Sequence, residues 1–190
     1  MGAFEHVISL LSFVYALAIA HLLTTAAKLI GGRERVRFSW LHAYWMFNAL
    51  ILLLADWISY WDMREVPNWT MPSILIVVVQ SFVDYMQAAL VCPEVPAEGT
   101  LDLVEFHRMR SRRYIGAFLA TAIWAFIDNL YFGGAYNVSE VMRQNLATVP
   151  LIALAIAAIV FRNRVVQAVV PFLLLGVWAY YFTALQDALK

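Results

Sequence analysis

The segment VVVQSFVDYMQAALV, residues 77–91, carries Gln80, Asp84 and Gln87 within an otherwise apolar run. Their i, i+4, i+7 spacing sets all three on one face of a helix, and Ser73 extends that stripe by two turns toward the helix start. In a bilayer an aspartate at such depth costs a few kcal/mol or more, so it must be paired, protonated or wet. The chemistry open to it is reversible proton binding, alone or coupled to the passage of a small solute. His21, in the run ALAIAHLLTTAAK, is the expected partner. Counted from the inner ends of the two apolar runs, His21 and Asp84 lie at nearly the same depth, with Lys28 one or two turns deeper. An Asp84–His21 pair flanked by Gln80 and Gln87 forms a proton or transport site. The plainer reading of the same residues is a hydrogen bond that holds helices together.

A second polar layer is expected nearer the outer face. Asp56, Asp128, Asn129 and Arg143 fall close to the ends of their apolar segments, as do Glu5 and His6. They suit an outer charge network or a vestibule mouth, and equally ordinary interfacial ion pairing. His42, Trp45, Asn48 or Ala49, Leu52 and Asp56 share one helix face, whereas Ser12, Ala16, Ala20 and Thr24 make a small-residue stripe suited to close helix packing. Pro150 and Pro171 fall inside apolar segments and are expected to bend them.

Other chemistry leaves little trace. The chain has no glycine-rich phosphate loop, HExxH, CxxC or GxSxG. No cofactor is expected. A bis-histidine haem needs two histidines facing each other at one level, and His21 and His42 differ by about two turns of depth while His6 belongs to the far face. Neither a metal site nor a disulfide framework is expected, because Cys92 is the only cysteine. Asn68-Trp69-Thr70 and Asn137-Val138-Ser139 match the glycosylation triplet, which arises easily by chance.

The elements that must position these residues follow from composition. Of 190 residues, 63% are hydrophobic and 14% charged, against about 25% charged in a soluble domain. Apolar surface on that scale points to a bilayer as solvent. A hydrocarbon core of about 30 Å takes roughly 20 helical residues, and helices satisfy their own backbone in lipid. The expected fold is all-α: a polytopic integral membrane protein, with six transmembrane helices near 6–30, 40–61, 72–91, 113–133, 142–161 and 165–187 forming one domain and one bundle with short loops. In the longest loop, LDLVEFHRMRSRR reads as an interfacial helix ahead of span four, with Thr100 as its cap and His107 at the interface.

Lys28, Arg33, Arg35, Arg37, Arg108, Arg110, Arg112, Arg113, Arg162 and Arg164 fall on alternate turn-arounds, leaving Arg64, Arg143 and Lys190 on the others. The asymmetry sets both termini outside the cytoplasm, in a plasma or inner membrane. The expected partners are the lipid bilayer and a membrane-protein partner or second copy of the chain. A net charge of zero gives no field for nucleic acid. The functions expected are a small proton-coupled transporter or channel, or a non-catalytic membrane subunit, assembly factor or sensor. An enzyme is the weakest of the readings.

Overall fold

The computed structural model describes residues 2–188 except 67, 97, 134–137 and 162; side chains are described except at 3, 65, 139, 140, 143, 144 and 184–188. In chain order the elements are α1 (Ala3–Gly31), β1 (Val36–Arg37), α2 (Trp40–Ser59), α3 (Met71–Val91), β2 (Leu101–Asp102), α4 (Leu103–Gly133), α5 (Val138–Val160) and α6 (Arg164–Ala188). Among the described residues, five helical stretches are long and apolar enough to cross a membrane: Phe4–Gly31, Trp40–Arg64, Met71–Val91, Leu103–Gly133 and Arg164–Thr183. The apolar stretch among the described residues of α5 is Asn145–Val160.

Helix ends are set by local chemistry. The Ser39 hydroxyl accepts from the His42 N–H at 3.3 Å and starts α2. At α3, Thr70 Oγ1 accepts from the Ser73 N–H while Ser73 Oγ accepts from the Thr70 N–H at 2.7 Å, a reciprocal cap. Pro72 falls in the first turn, where its missing N–H costs nothing, and Pro93 stops the helix just after Cys92.

The expected interfacial helix and span four are one element. α4 runs unbroken for 31 residues, about 46 Å at the α-helical rise. No proline or glycine interrupts residues 103–115, so nothing divides the arginine-rich turns from the apolar ones. The cap is Asp102 rather than Thr100: Asp102 Oδ1 accepts from the Val104 N–H at 2.8 Å and the Glu105 N–H at 3.0 Å. His107 is buried rather than interfacial.

The chain forms two compact units, Met1–Tyr114 and Ile115–Lys190. In the first, α1 packs against α2 and α3, and α2 against α3. α1 buries Val7, Leu11, Tyr15, Ala18, Leu22 and Thr25, a repeat of threes and fours that makes one stripe down the helix. The small-residue stripe expected to pack is not the buried one: Ala16, Ala20 and Thr24 are exposed. The larger side chains fill the space among three helices, which alanines would leave empty. α2 and α3 are antiparallel, since Tyr60 reaches Val77 and Asp56 reaches Gln80.

β1 and β2 pair in parallel, Val36 with Leu101 and Arg37 with Asp102. An Arg37–Asp102 ion pair at 2.8 Å reinforces them. The chain leaving α1 is thereby joined to the chain leaving α3, so both segments lie at one end of the unit.

In the second unit α5 packs against α6. Ala147, Leu151, Ala155 and Ala158 are buried on α5, and Val170, Leu174 and Trp178 on α6. Pro150 and Pro171 sit inside helices that continue past them. The Gln167 amide donates to the carbonyls of Ala158 at 2.6 Å and Phe161 at 3.2 Å, satisfying the end of α5 from the start of α6.

Candidate functional site

The polar stripe of α3 turns inward as expected. Gln80 is 2% exposed, and Asp84 and Gln87 are 0% exposed. Asp84 is the centre of a hydrogen-bonded cluster that draws on α1, α2 and α3 of the first unit. The Tyr15 hydroxyl, from α1, donates to Asp84 Oδ2 at 2.5 Å. Gln80, one turn back on α3, donates from Nε2 to Asp84 Oδ1 at 2.8 Å. The same amide nitrogen lies 3.3 Å from Asp56 Oδ2 on α2, so its two hydrogens serve two carboxylates. Behind Tyr15, the Tyr60 hydroxyl just beyond α2 is 3.3 Å from the Tyr15 hydroxyl and 3.5 Å from the Val77 carbonyl. The two phenol rings meet at 5.9 Å between centroids, tilted by 59°.

The expected partner of Asp84 is corrected by this geometry. His21 is exposed and pairs with none of the described residues. Depth was counted from the inner end of each run, but azimuth decides the partner. Six residues beyond Tyr15, His21 is rotated by about 240° and leaves the buried stripe. Tyr15 and Tyr60 were missed because each reads as one more aromatic in an apolar run. Only the repeat through Val7, Leu11, Tyr15, Ala18 and Leu22 marks Tyr15 as inward-facing.

Asp56, placed by the sequence in an outer layer, joins the Asp84 cluster through Gln80. Glu5 and His6 of that layer are exposed on α1 of the first unit, and Asp128, Asn129 and Arg143 belong to the second. There Asp128 is buried, and the Asn129 amide donates to Asn145 Oδ1 at 3.1 Å and Thr148 Oγ1 at 3.4 Å. The side chain of Arg143 lies outside the described residues.

A second cluster of the first unit lies toward the β1–β2 end. His107 Nδ1 is hydrogen-bonded to the Tyr114 hydroxyl, one face and two turns along α4. His42 on α2 meets the rings of Phe106 at 5.0 Å and Tyr114 at 5.9 Å, both edge-on. It borders a cleft of about 270 Å³ lined by Leu29, Ile30, Arg33, Phe38 and Met46. His42 is fully buried, and neither of its ring nitrogens has a hydrogen-bond partner among the described residues.

Among the described residues no three His, Cys, Asp or Glu side chains gather as metal ligands would. What the Asp84 cluster can do is hold or release a proton, because its acidic group, two phenols and an amide are already in hydrogen-bond contact. No family model matches the chain, and no curated protein and no solved structure matches it.

Proposed function

We propose that the protein is a six-span integral membrane protein that binds and releases a proton at Asp84 in the course of carrying a proton or a small solute across a plasma or inner membrane. One observation carries this reading: the heavy-atom positions around Asp84 suit both of its protonation states. As a carboxylate, Asp84 accepts from Tyr15 on one oxygen and from Gln80 on the other. As an acid, its new O–H donates to the Tyr15 oxygen. The Tyr15 proton then turns to Tyr60, 3.3 Å away, and the Tyr60 proton to the Val77 carbonyl at 3.5 Å. Hydroxyl hydrogens rotate freely, so the proton is taken up without moving a helix.

Support for the span count comes from α5, whose apolar stretch continues a helix of 23 residues, about 34 Å long. Support for termini outside the cytoplasm comes from the basic residues that follow α1 and open α4, which meet at the β1–β2 end. A second reading, a non-catalytic membrane subunit, draws on the fact that Asp84 links α3 to α1 directly and to α2 through Gln80.

Purified protein in vesicles holding a pH-sensitive dye tests the choice. Wild type is expected to pass protons, or a solute with protons, and Asp84→Asn to lose that activity. Equal, background-level flux in both proteins would leave the cluster as a structural tie and favour the subunit reading.

A further inference from the structure

We infer that the polar column of the first unit continues from Asp84 through buried water held by Gln87 and Asn48 to His42, giving protons a route between Asp84 and the cleft beside Leu29, Ile30 and Arg33. The inference rests on the reading of Asp84 as a proton-binding group and names the path that serves it.

The observation is a set of buried polar atoms without a hydrogen-bond partner among the described residues. Asn48, Gln87 and His42 are each 0% exposed. Asn48 Oδ1, both polar atoms of the Gln87 amide and both ring nitrogens of His42 have no hydrogen-bond partner among the described residues. Asn48 has already used its Nδ2 on the Tyr44 carbonyl at 2.9 Å, and its oxygen is left over. Five such atoms kept dry would cost on the scale of a whole domain's stability. Buried polar atoms without a protein partner are ordinarily satisfied by ordered water, which bridges two to four groups at a time.

These residues follow one another in depth. α2 and α3 are antiparallel and touch at Asp56 and Gln80. From that contact, eight residues along α2 reach Asn48 and seven along α3 reach Gln87, about 12 Å and about 10 Å toward the same end. His42 is fourteen residues from Asp56 along α2, about 21 Å, and returns to within about 40° of its direction, whereas Asn48 is turned from it by about 80°. Its ring is closed in by Phe106 and Tyr114, and it also borders the cleft of about 270 Å³. The column thus runs from the Asp56–Gln80–Asp84 cluster, past an amide on each of two helices, to an imidazole at the edge of a cleft. Water among these groups would pass protons by exchanging hydrogen bonds, with the imidazole taking a proton on one nitrogen and releasing it from the other.

Infrared spectroscopy of the protein in vesicles tests this. The C=O stretch of the protonated Asp84 carboxyl, assigned by its loss in Asp84→Asn, shifts when its proton is exchanged for deuterium. Its rate of shift after transfer to D2O reports access to the carboxyl. Gln87→Met and His42→Phe, each close in size to the residue it replaces, are expected to keep the band and slow its shift by on the order of tenfold or more. Gln87→Asn, which keeps an amide, is expected to exchange much faster than Gln87→Met. If Gln87→Met yields no folded protein, Asn48→Leu is read in the same way. Exchange at the wild-type rate in the apolar variants overturns the path while leaving Asp84 as a proton site. Absence of any band that Asp84→Asn removes, across the accessible pH range, overturns the proton-site reading and this inference with it.

Discussion

The contact between Tyr15 and Asp84 can be measured as a coupling energy. Tyr15→Phe removes one oxygen and keeps the ring, so the packing of a side chain only 1% exposed is unchanged. With Asp84 at 0% exposed, bulk water cannot replace the lost donor. A hydrogen bond to a charged group contributes about 1.5–3 kcal/mol in soluble proteins. Interhelical bonds in membranes average about 0.6 kcal/mol and reach about 1.7, because the membrane-inserted unfolded state finds partners too. The expected coupling is therefore about 1.5 kcal/mol while Asp84 is ionised, falling toward about 0.6 kcal/mol once it is protonated. Asp84→Leu is a suitable second arm of the cycle, because Asp84→Asn would keep an oxygen that accepts from Tyr15. The assay is a double-mutant cycle by detergent-driven unfolding in mixed micelles, followed by far-UV circular dichroism at several pH values. Additivity of the two substitutions within about 0.3–0.5 kcal/mol at every pH would refute the direct bond and the two-state account built on it.

Three further outcomes are expected. Gly99 sits at φ +92° in the segment before β2, so Gly99→Ala should destabilise by about 1–3 kcal/mol in the same unfolding assay, although a new Cβ would meet open space. The Asp102 carboxyl is held below the usual carboxylate range, first by the Glu105 N–H and also by Arg37. Its contribution to stability is therefore present above the unfolded value of about 3.9 and is lost as pH falls below that toward the folded value; Asp102→Asn should flatten this part of the stability–pH curve. Burial pushes the Cys92 thiol up, opposed by a hydrogen bond with Thr25, so at neutral pH alkylation should be at least about tenfold slower in the folded protein than after unfolding.

Much of the helical scaffold is legible in the sequence because its boundaries are written in capping chemistry. Ser39, the Thr70–Ser73 pair and Cys92-Pro93 mark ends that agree with the expected spans to within a few residues. The inward face of α3 is legible for a related reason: three polar side chains at helical spacing in an apolar run have only one comfortable direction. Partners are harder. Asp84 was matched to His21 by depth, but a helix also has an angular coordinate, and the stripe through Leu11, Tyr15 and Ala18 carries His21 away from α3. The continuity of α4 was obscured by its composition. Arginines and a histidine beside apolar turns suggest two environments, yet the backbone responds to breakers, and residues 103–115 contain none. Two-residue strands leave no periodic signal at all, so the β1–β2 contact could come only from the three-dimensional arrangement.

That small contact imposes an order on biogenesis. Arg37 and Asp102 are separated by 65 positions in the chain, and synthesis delivers them in sequence. The fastening between them cannot close until α3 has been made and its far end has returned to the side where α1 ended. The clasp therefore closes late: it fastens only once α1, α2 and α3 are all in place.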